Sequence, residues 1–314
     1  MIAAGIDLGG TKIALQGFDA EWRRTDEMRV PTPRDYDGLV AALADLVRQA
    51  DSWAERPIPV GIGAAGLVNP LTGLALTANL CASGRPLPAD VARAVGRPVP
   101  YYNDCRTLAL SEAIFGAGRG RSRVCSLILG TGVGGGLAVD GRLQPGPAAV
   151  GGEFGHTAAP AHLTRELGLH RCGCGAMACI ETYIAGPGLA RMAFEMTGRQ
   201  IDPPTIAAHR TDPAIAPVFG LWLDLVTSLL RDLTLTLDPD VIVVGGGLSR
   251  IDGLLDALRP RLAEAQIGDF PVPELALAEG GEASGARGAA YAAWLDALPG
   301  APPLYLSPEA EENR

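Results

Sequence analysis

Twice along this chain an apolar run stops at a glycine cluster carrying a hydroxyl residue, then resumes as an apolar run. The first case is Gly5-Ile-Asp-Leu-Gly-Gly-Thr-Lys12, followed by Ile-Ala-Leu. The second is Leu127-Ile-Leu-Gly-Thr-Gly-Val-Gly-Gly-Gly-Leu-Ala-Val139. Each pattern predicts a strand, a tight turn and a returning strand, with Ile2–Leu8 and Ile13–Phe18 flanking the first turn and Glu27–Val30 adding a third strand. Asp37–Ala50 places Leu39, Val40, Leu43, Leu46 and Val47 at the period of an amphipathic helix. Val60–Gly66 reads as a buried strand running into a small-residue loop, Pro88–Val95 as a short helix and Val99–Tyr102 as a strand. That strand stops at Asn103-Asp104, and Thr107–Phe115 is helical.

After the second hairpin, Pro145–Cys179 shows no period and reads as irregular. Helices are expected over Gly188–Met196, Pro217–Leu237, Ile251–Ala265 and Gly285–Leu295, with Val241–Gly247 a buried strand opening onto a glycine turn. Alternating strands and helices predict an α/β fold with partly parallel sheets. A length of 314 residues suggests two domains, at about 150 residues each. The glycine- and arginine-rich stretch 116–123 marks a hinge. The expected division is a smaller lobe over 1–118, a larger one over 119–285, a helix near 286–298 packing back on the first, and a flexible tail over 299–314.

Composition narrows the function. The net charge of −9 disfavours a nucleic-acid partner, which wants a basic stripe. The uncharged span Pro57–Gly84 is long enough for a membrane helix, but its prolines, asparagines and glycines break it into strands and loops. No leader precedes the first strand, so a soluble, cytoplasmic protein is expected.

Glycine turns present backbone N–H groups to an anion without a Cβ in the way. Gly130-Thr131-Gly132-Val133-Gly134-Gly135 fits the dinucleotide spacing G-x-G-x-x-G, but that motif requires a helix next. The residues after it instead read as a strand ending at Asp140-Gly141, a hairpin signal. Gly9-Gly10-Thr11-Lys12 lacks the spacing of a P-loop. Two similar hairpins therefore point to two related lobes that hold one phosphate chain.

Cys81, Cys105 and Cys125 stand in apolar contexts and read as small buried hydrophobes. Cys172, Cys174 and Cys179 crowd into eight residues, the pattern of a metal site in a reducing compartment. Zinc wants four ligands, and His156, His162 and His170 are all candidates for the fourth. Glu153, His156 and Glu181 bracket the cluster, and carboxylates fixed in this way suit a polyhydroxyl ligand. The knot would then position Glu153 and Glu181 rather than the glycine hairpins. Asp104 is placed either to cap a helix or to act as a general base for a hydroxyl attacking phosphorus. Asp7, before the first turn, is placed to orient Mg²⁺ or its waters.

Together, Gly5–Lys12, Asn103-Asp104, Leu129–Gly136, Glu153-Phe-Gly-His156, Cys172–Glu181 and Val243–Gly247 resemble the ROK family of sugar kinases and repressors, within the actin-like ATPase (ribonuclease H-like) superfamily. The resemblance implies a two-lobed α/β fold with a structural zinc site, ATP with Mg²⁺, and a homodimer. It implies Asp104 as catalytic base, with Asn79, Asn103, Glu153, His156 and Glu181 as sugar ligands. It places ATP at Gly5, Asp7, Gly9–Lys12, Gly130–Gly135 and Gly246-Gly247. It makes His156 the fourth zinc ligand beside Cys172, Cys174 and Cys179.

Val30–Asp35, Ala78–Gly84, Leu108–Ala113 and Gly152–His156 resemble the bacterial N-acetyl-D-glucosamine kinases of that family in particular, implying 6-phosphorylation of that sugar. Glucose, N-acetylmannosamine and a non-catalytic sugar sensor are the alternatives. The family's repressors carry a DNA-binding module before the first hairpin, which here begins at residue 5. Departures are Ala65 in place of proline, Cys105-Arg106 in place of Ala-Asn, and Ala178 in place of a glycine.

Overall fold

The computed structural model describes residues 1–281 and 284–299; the expected tail beyond residue 299 lies outside the described residues. The first sheet is built from β1 (Ala3–Leu8), β2 (Lys12–Phe18), β3 (Arg24–Pro31), β4 (Val60–Ala64) and β7 (Tyr101–Asn103), in the order β3-β2-β1-β4-β7. A two-stranded ribbon, β5 (Leu67–Val68) with β6 (Ala75–Leu76), and helices α1 (Tyr36–Ala54), α2 (Leu87–Val95) and α3 (Asp104–Phe115) complete this part of the chain. β1 is antiparallel to β2 and parallel to β4.

The second sheet contains β8 (Arg123–Leu129), β9 (Val133–Val139), β10 (Arg142–Leu143), β11 (Val241–Gly245) and β12 (Glu274–Leu277), in the order β10-β9-β8-β11-β12. It repeats the plan of the first, three consecutive strands side by side and then two later ones. Helices α4 (Ala161–Thr164), α5 (Glu181–Ile184), α6 (Gly186–Thr197), α7 (Pro203–Ala208), α8 (Ala216–Leu237), α9 (Leu254–Ala265) and α10 (Ser284–Asp296) follow in chain order. By packing, Met1–Gly120, Gly136–Gly152 and the described residues from Glu279 onward form one unit. Arg121–Gly135 with Glu153–Ala278 form the other. Among the described residues no helix is long and apolar enough to cross a membrane.

The expected periodicities become real faces. Leu39, Leu43, Leu46, Val47 and Ala50 of α1 are buried against the first sheet, joined by Ile6, Leu15 and Ile62. Asp35 caps α1 by accepting the Gly38 N–H at 2.7 Å. In α8, the fully buried Trp222 donates its indole N–H to the Ile184 carbonyl at 2.9 Å, tying α8 to α5.

Alanines 286, 289, 290 and 293 make α10 a smooth rod, buried within the first unit. A Cβ on Gly5 would collide with the Ala286 carbonyl, and one on Gly61 with the Ala289 carbonyl. The last helix thus lies directly on β1 and β4. Glu112 of α3 is fully buried. Its carboxylate accepts from the N–H groups of Ala117 at 3.0 Å, Glu279 at 3.1 Å and Gly280 at 2.9 Å, and from the Ser284 hydroxyl at 3.2 Å.

Candidate active site and metal centre

The first glycine turn is closed by Gly9 N–H donating to the Lys12 carbonyl at 3.1 Å. Thr32 braces it, its hydroxyl donating to the Gly9 carbonyl at 2.7 Å and its N–H to the Thr11 carbonyl at 3.1 Å. Gly10, Thr11 and Lys12 are exposed. Asn79 abuts this turn, since a Cβ on Gly10 would stand 3.1 Å from the Asn79 Cβ. Asp7 faces the start of α10, its carboxylate 3.5 Å from where a Cβ of Gly285 would lie. Gly5 sits inside β1, where the close approach of α10 requires a glycine.

At the end of β7 the two candidate roles of Asp104 separate. Asn103 is the cap of α3, its Oδ1 accepting from the N–H groups of Cys105 at 3.0 Å and Arg106 at 3.4 Å. Asp104 is the first helical residue, its carboxylate accepting the Cys105 N–H at 2.9 Å. Burial pushes its carboxyl up from the ordinary 3.8, because a low-dielectric setting disfavours the charge. A carboxylate held this way is a stronger base than one in water. Arg106 is 3% exposed and donates from Nη2 to the Ala149 carbonyl at 2.7 Å. Its guanidinium is thus committed to the protein's own backbone. Cys105 is half-buried rather than part of the core, as is Cys81, whereas Cys125 is buried as expected.

In the second unit Gly130 N–H donates to the Gly132 carbonyl at 3.0 Å, leaving Thr131 and Gly132 exposed at the turn. Two bonds, one from α5 and one from the start of α6, hold this turn. The Gly186 N–H donates to the Gly130 carbonyl at 2.8 Å, and Glu181 Oε2 accepts the Val133 N–H at 2.9 Å. Gly134 and Gly135 lie within β9 rather than in the turn. Gly135 is needed for packing, because a Cβ there would collide with the Ser126 carbonyl and crowd the Phe154 ring. A groove of about 810 Å³ is lined by Gly130, Thr131, Pro187, Ala190, Gly247 and Arg250, among others. It joins the second glycine turn to the glycines after β11. Pro187, Ala190 and Arg250 carried no motif in the sequence.

The cysteine cluster has the shape of a tetrahedral site. Ligand atoms of His156, Cys172, Cys174 and Cys179 all lie within 4.8 Å of one another. Cys172 Sγ is 3.4 Å from His156 Nδ1, and Cys174 Sγ is 3.6 Å from Cys179 Sγ. Zinc bonds of about 2.3 Å to sulfur and 2.0 Å to nitrogen give tetrahedron edges of roughly 3.5–3.8 Å. Burial pushes the Cys172 thiol up to about 12. Three sulfurs this close repel one another as thiolates unless a cation sits between them. His170 instead pairs with Glu195 at 3.1 Å and packs on Tyr183.

The remaining nitrogen of His156, Nε2, faces Glu153 Oε2 at 3.6 Å, and Glu181 Oε1 lies 3.4 Å from Cys172 Sγ. Glu153, His156 and Glu181 are thus gathered around the cluster in the second unit. Asn79, Asn103 and Asp104 belong to the first. Because Glu181 also holds Val133, the knot positions the second glycine hairpin as well as the carboxylates, contrary to the sequence expectation.

Ala178, the departure from glycine, has φ = 57°. Its N–H donates to the His170 carbonyl at 2.8 Å, and its carbonyl accepts from Ala159 N–H at 2.9 Å. The left-handed conformation is therefore fixed from both sides, without a glycine to relieve it.

Comparison with known proteins assigns the chain to a family. The family model described as the ROK family matches residues 3–295. The chain is 41% identical over 295 residues to the N-acetylgalactosamine kinase AgaK of Shewanella sp. (strain ANA-3), covering 91% of this chain and 94% of that protein. It is 38% identical over 300 residues to the N-acetyl-D-glucosamine kinase of Pectobacterium atrosepticum, covering 93% and 99%. A ROK hexokinase from Thermus thermophilus superposes with a TM-score of 0.83 at 30% identity, covering 94% of this chain and 99% of that one.

Proposed function

The chain belongs to the ROK family, and from that premise we propose that it is an ATP-dependent kinase acting on the 6-hydroxyl of N-acetyl-D-glucosamine. The observation that carries the reading is the division of labour at α3. Asn103 does the capping, so Asp104 keeps a carboxylate with a raised proton affinity at the end of β7. In the proposed reaction the 6-oxygen forms a bond to the γ-phosphorus as the bond to the β-γ bridging oxygen breaks. The hydroxyl proton passes to Asp104, and ADP leaves with the bridging oxygen. Phosphoryl transfer asks the protein chiefly to position and neutralise. The two glycine turns and the groove beside Gly247 supply backbone donors for that. Mg²⁺, bound with the nucleotide, would offset charge on the phosphates, with Asp7 near enough to the first turn to orient it.

Glu153, His156 and Glu181 supply two carboxylates and an imidazole for sugar hydroxyls, and Asn79 and Asn103 are further proposed sugar ligands. Zinc on His156, Cys172, Cys174 and Cys179 fits the donor set and would hold these side chains in place. The proteins 38–41% identical to this one are named for sugars with a 2-acetamido group, which favours such a sugar over glucose. They differ in the configuration at carbon 4. N-acetylgalactosamine is therefore the second reading, favoured by the 41% relative. We read the protein as a cytoplasmic homodimer, and its six free cysteines suit a reducing compartment; sedimentation tests the dimer. Turnover of ATP with N-acetylglucosamine, N-acetylgalactosamine, N-acetylmannosamine and glucose, compared as kcat/KM, decides the substrate. No turnover with any hexose would reject the kinase reading.

A further inference from the structure

The first unit contains a cavity of about 310 Å³ beside β7, between the loop after β4 and the start of α2. Leu67, Pro88, Ala92 and Val99 line it with carbon, and Asn69, Tyr101, Asn103 and Arg106 contribute polar groups to its wall. Asn69, Asn103 and Arg106 are each engaged within the protein, Asn69 Oδ1 accepting the Leu71 N–H at 2.9 Å. Asn103 Oδ1 caps α3 and its Nδ2 donates to the Gly66 carbonyl at 3.1 Å, while Arg106 donates to the Ala149 carbonyl. Such a cavity offers little to a hydroxyl or a phosphate and favours an apolar occupant.

Its size matters. Small-molecule pockets begin at about 300 Å³, whereas the methyl of an acetyl group is of the order of one water, roughly 30 Å³. Its position matters too. Asn103, on the wall, directly precedes Asp104, and Gly66, to which Asn103 is bonded, also lines the space. The loop Asn79–Ser83, which also carries small residues, does not line it.

Resting on the reading of Asn103 and Asp104 as the sugar end of the site, we propose that this cavity receives the acyl chain of a 2-acylamino sugar. The enzyme then phosphorylates N-acylhexosamines whose chains are longer than acetyl. The second hydrogen on Asn103 Nδ2 can donate to the acyl carbonyl, and the chain beyond it enters the apolar part. No bond of the acyl group is made or broken. Ala89 and Ala92, on one face of α2, are the specificity-determining positions, because their small side chains keep the space open.

The test compares kcat/KM for N-acetyl-, N-propanoyl- and N-butanoylglucosamine in the wild type and in Ala92→Phe, with Ala89→Leu as a second filling variant should the first not fold. In the wild type the longer chains are expected to match or exceed acetyl. The gain is up to about fourfold per methylene, the value of moving one CH₂ out of water. In the filled variants N-butanoylglucosamine is expected at least tenfold below N-acetylglucosamine. A tenfold loss per added methylene in the wild type overturns the proposal. So does an N-butanoyl to N-acetyl ratio unchanged by filling. If N-acetylglucosamine itself is not phosphorylated, the kinase reading fails first, and the two failures are distinguishable.

Discussion

Glu181 accepts the backbone N–H of Val133 at 2.9 Å, so one side chain belongs both to the cysteine cluster and to the second glycine turn. Its other oxygen stands 3.4 Å from Cys172 Sγ. Glu181→Ala should therefore weaken Mg·ADP binding measured without sugar, by about tenfold or more, the value of one hydrogen bond to a charged group. Glu181→Gln retains an acceptor and should stay within about twofold. Titration calorimetry reads both. Unchanged Mg·ADP affinity in the alanine variant would confine Glu181 to the sugar.

Asp104→Asn should lower turnover by roughly 10²–10⁴-fold, the usual contribution of a general base, with sugar affinity kept. Stability should move the other way. Burial raises the Asp104 pKa, so the folded chain holds that proton more tightly than the unfolded one. The stabilisation is present at acid pH and is lost as pH rises through the folded value. The asparagine variant should thus melt above the wild type at pH 7–8, with the gap closing below about pH 4, where the unfolded carboxyl is protonated too. Equal melting temperatures at pH 8 would contradict the burial argument.

Much of this site is legible in the sequence because its signals are short-range. A glycine turn, the Asn103-Asp104 pair and the Cys172–Cys179 knuckle each declare themselves within ten residues. The features that escape are long-range. Gly5 looks like part of a phosphate turn, and only the packing of Ala286 shows why it must be glycine. The choice among His156, His162 and His170 requires three-dimensional distances. The strand at Glu274–Leu277 is four residues long and paired at a sheet edge, too short for its period to stand out.

Metal analysis of protein purified without added zinc should give close to one zinc per chain. Stripping it should lower the melting temperature and weaken sugar binding together, since binding to the folded state alone stabilises that state. Stable, sugar-binding protein with no metal would reject the site.

Ala178→Gly should stabilise the zinc-loaded protein by about 1 kcal/mol, the cost of holding an L-residue in the left-handed region less the chain entropy glycine brings. The expected gain is a rise of about 1–3 °C in Tm. A lower Tm would show that the alanine methyl contributes packing that outweighs the strain at φ = 57°.

The position of α10 sets the order in which this polypeptide can be finished on the ribosome. The N-terminal strands emerge first, yet β1 and β4 stay uncovered on one face until alanines 286, 289 and 293 arrive. The Glu112 carboxylate likewise waits for the N–H groups of Glu279 and Gly280. At about 5–20 residues per second, the nascent N-terminal half must remain soluble for on the order of 10 s before its last helix is made. The part of the chain synthesised first is the part completed last. A gene truncated before Ser284 should yield protein that aggregates or is degraded, although every residue lining the glycine turns would be present.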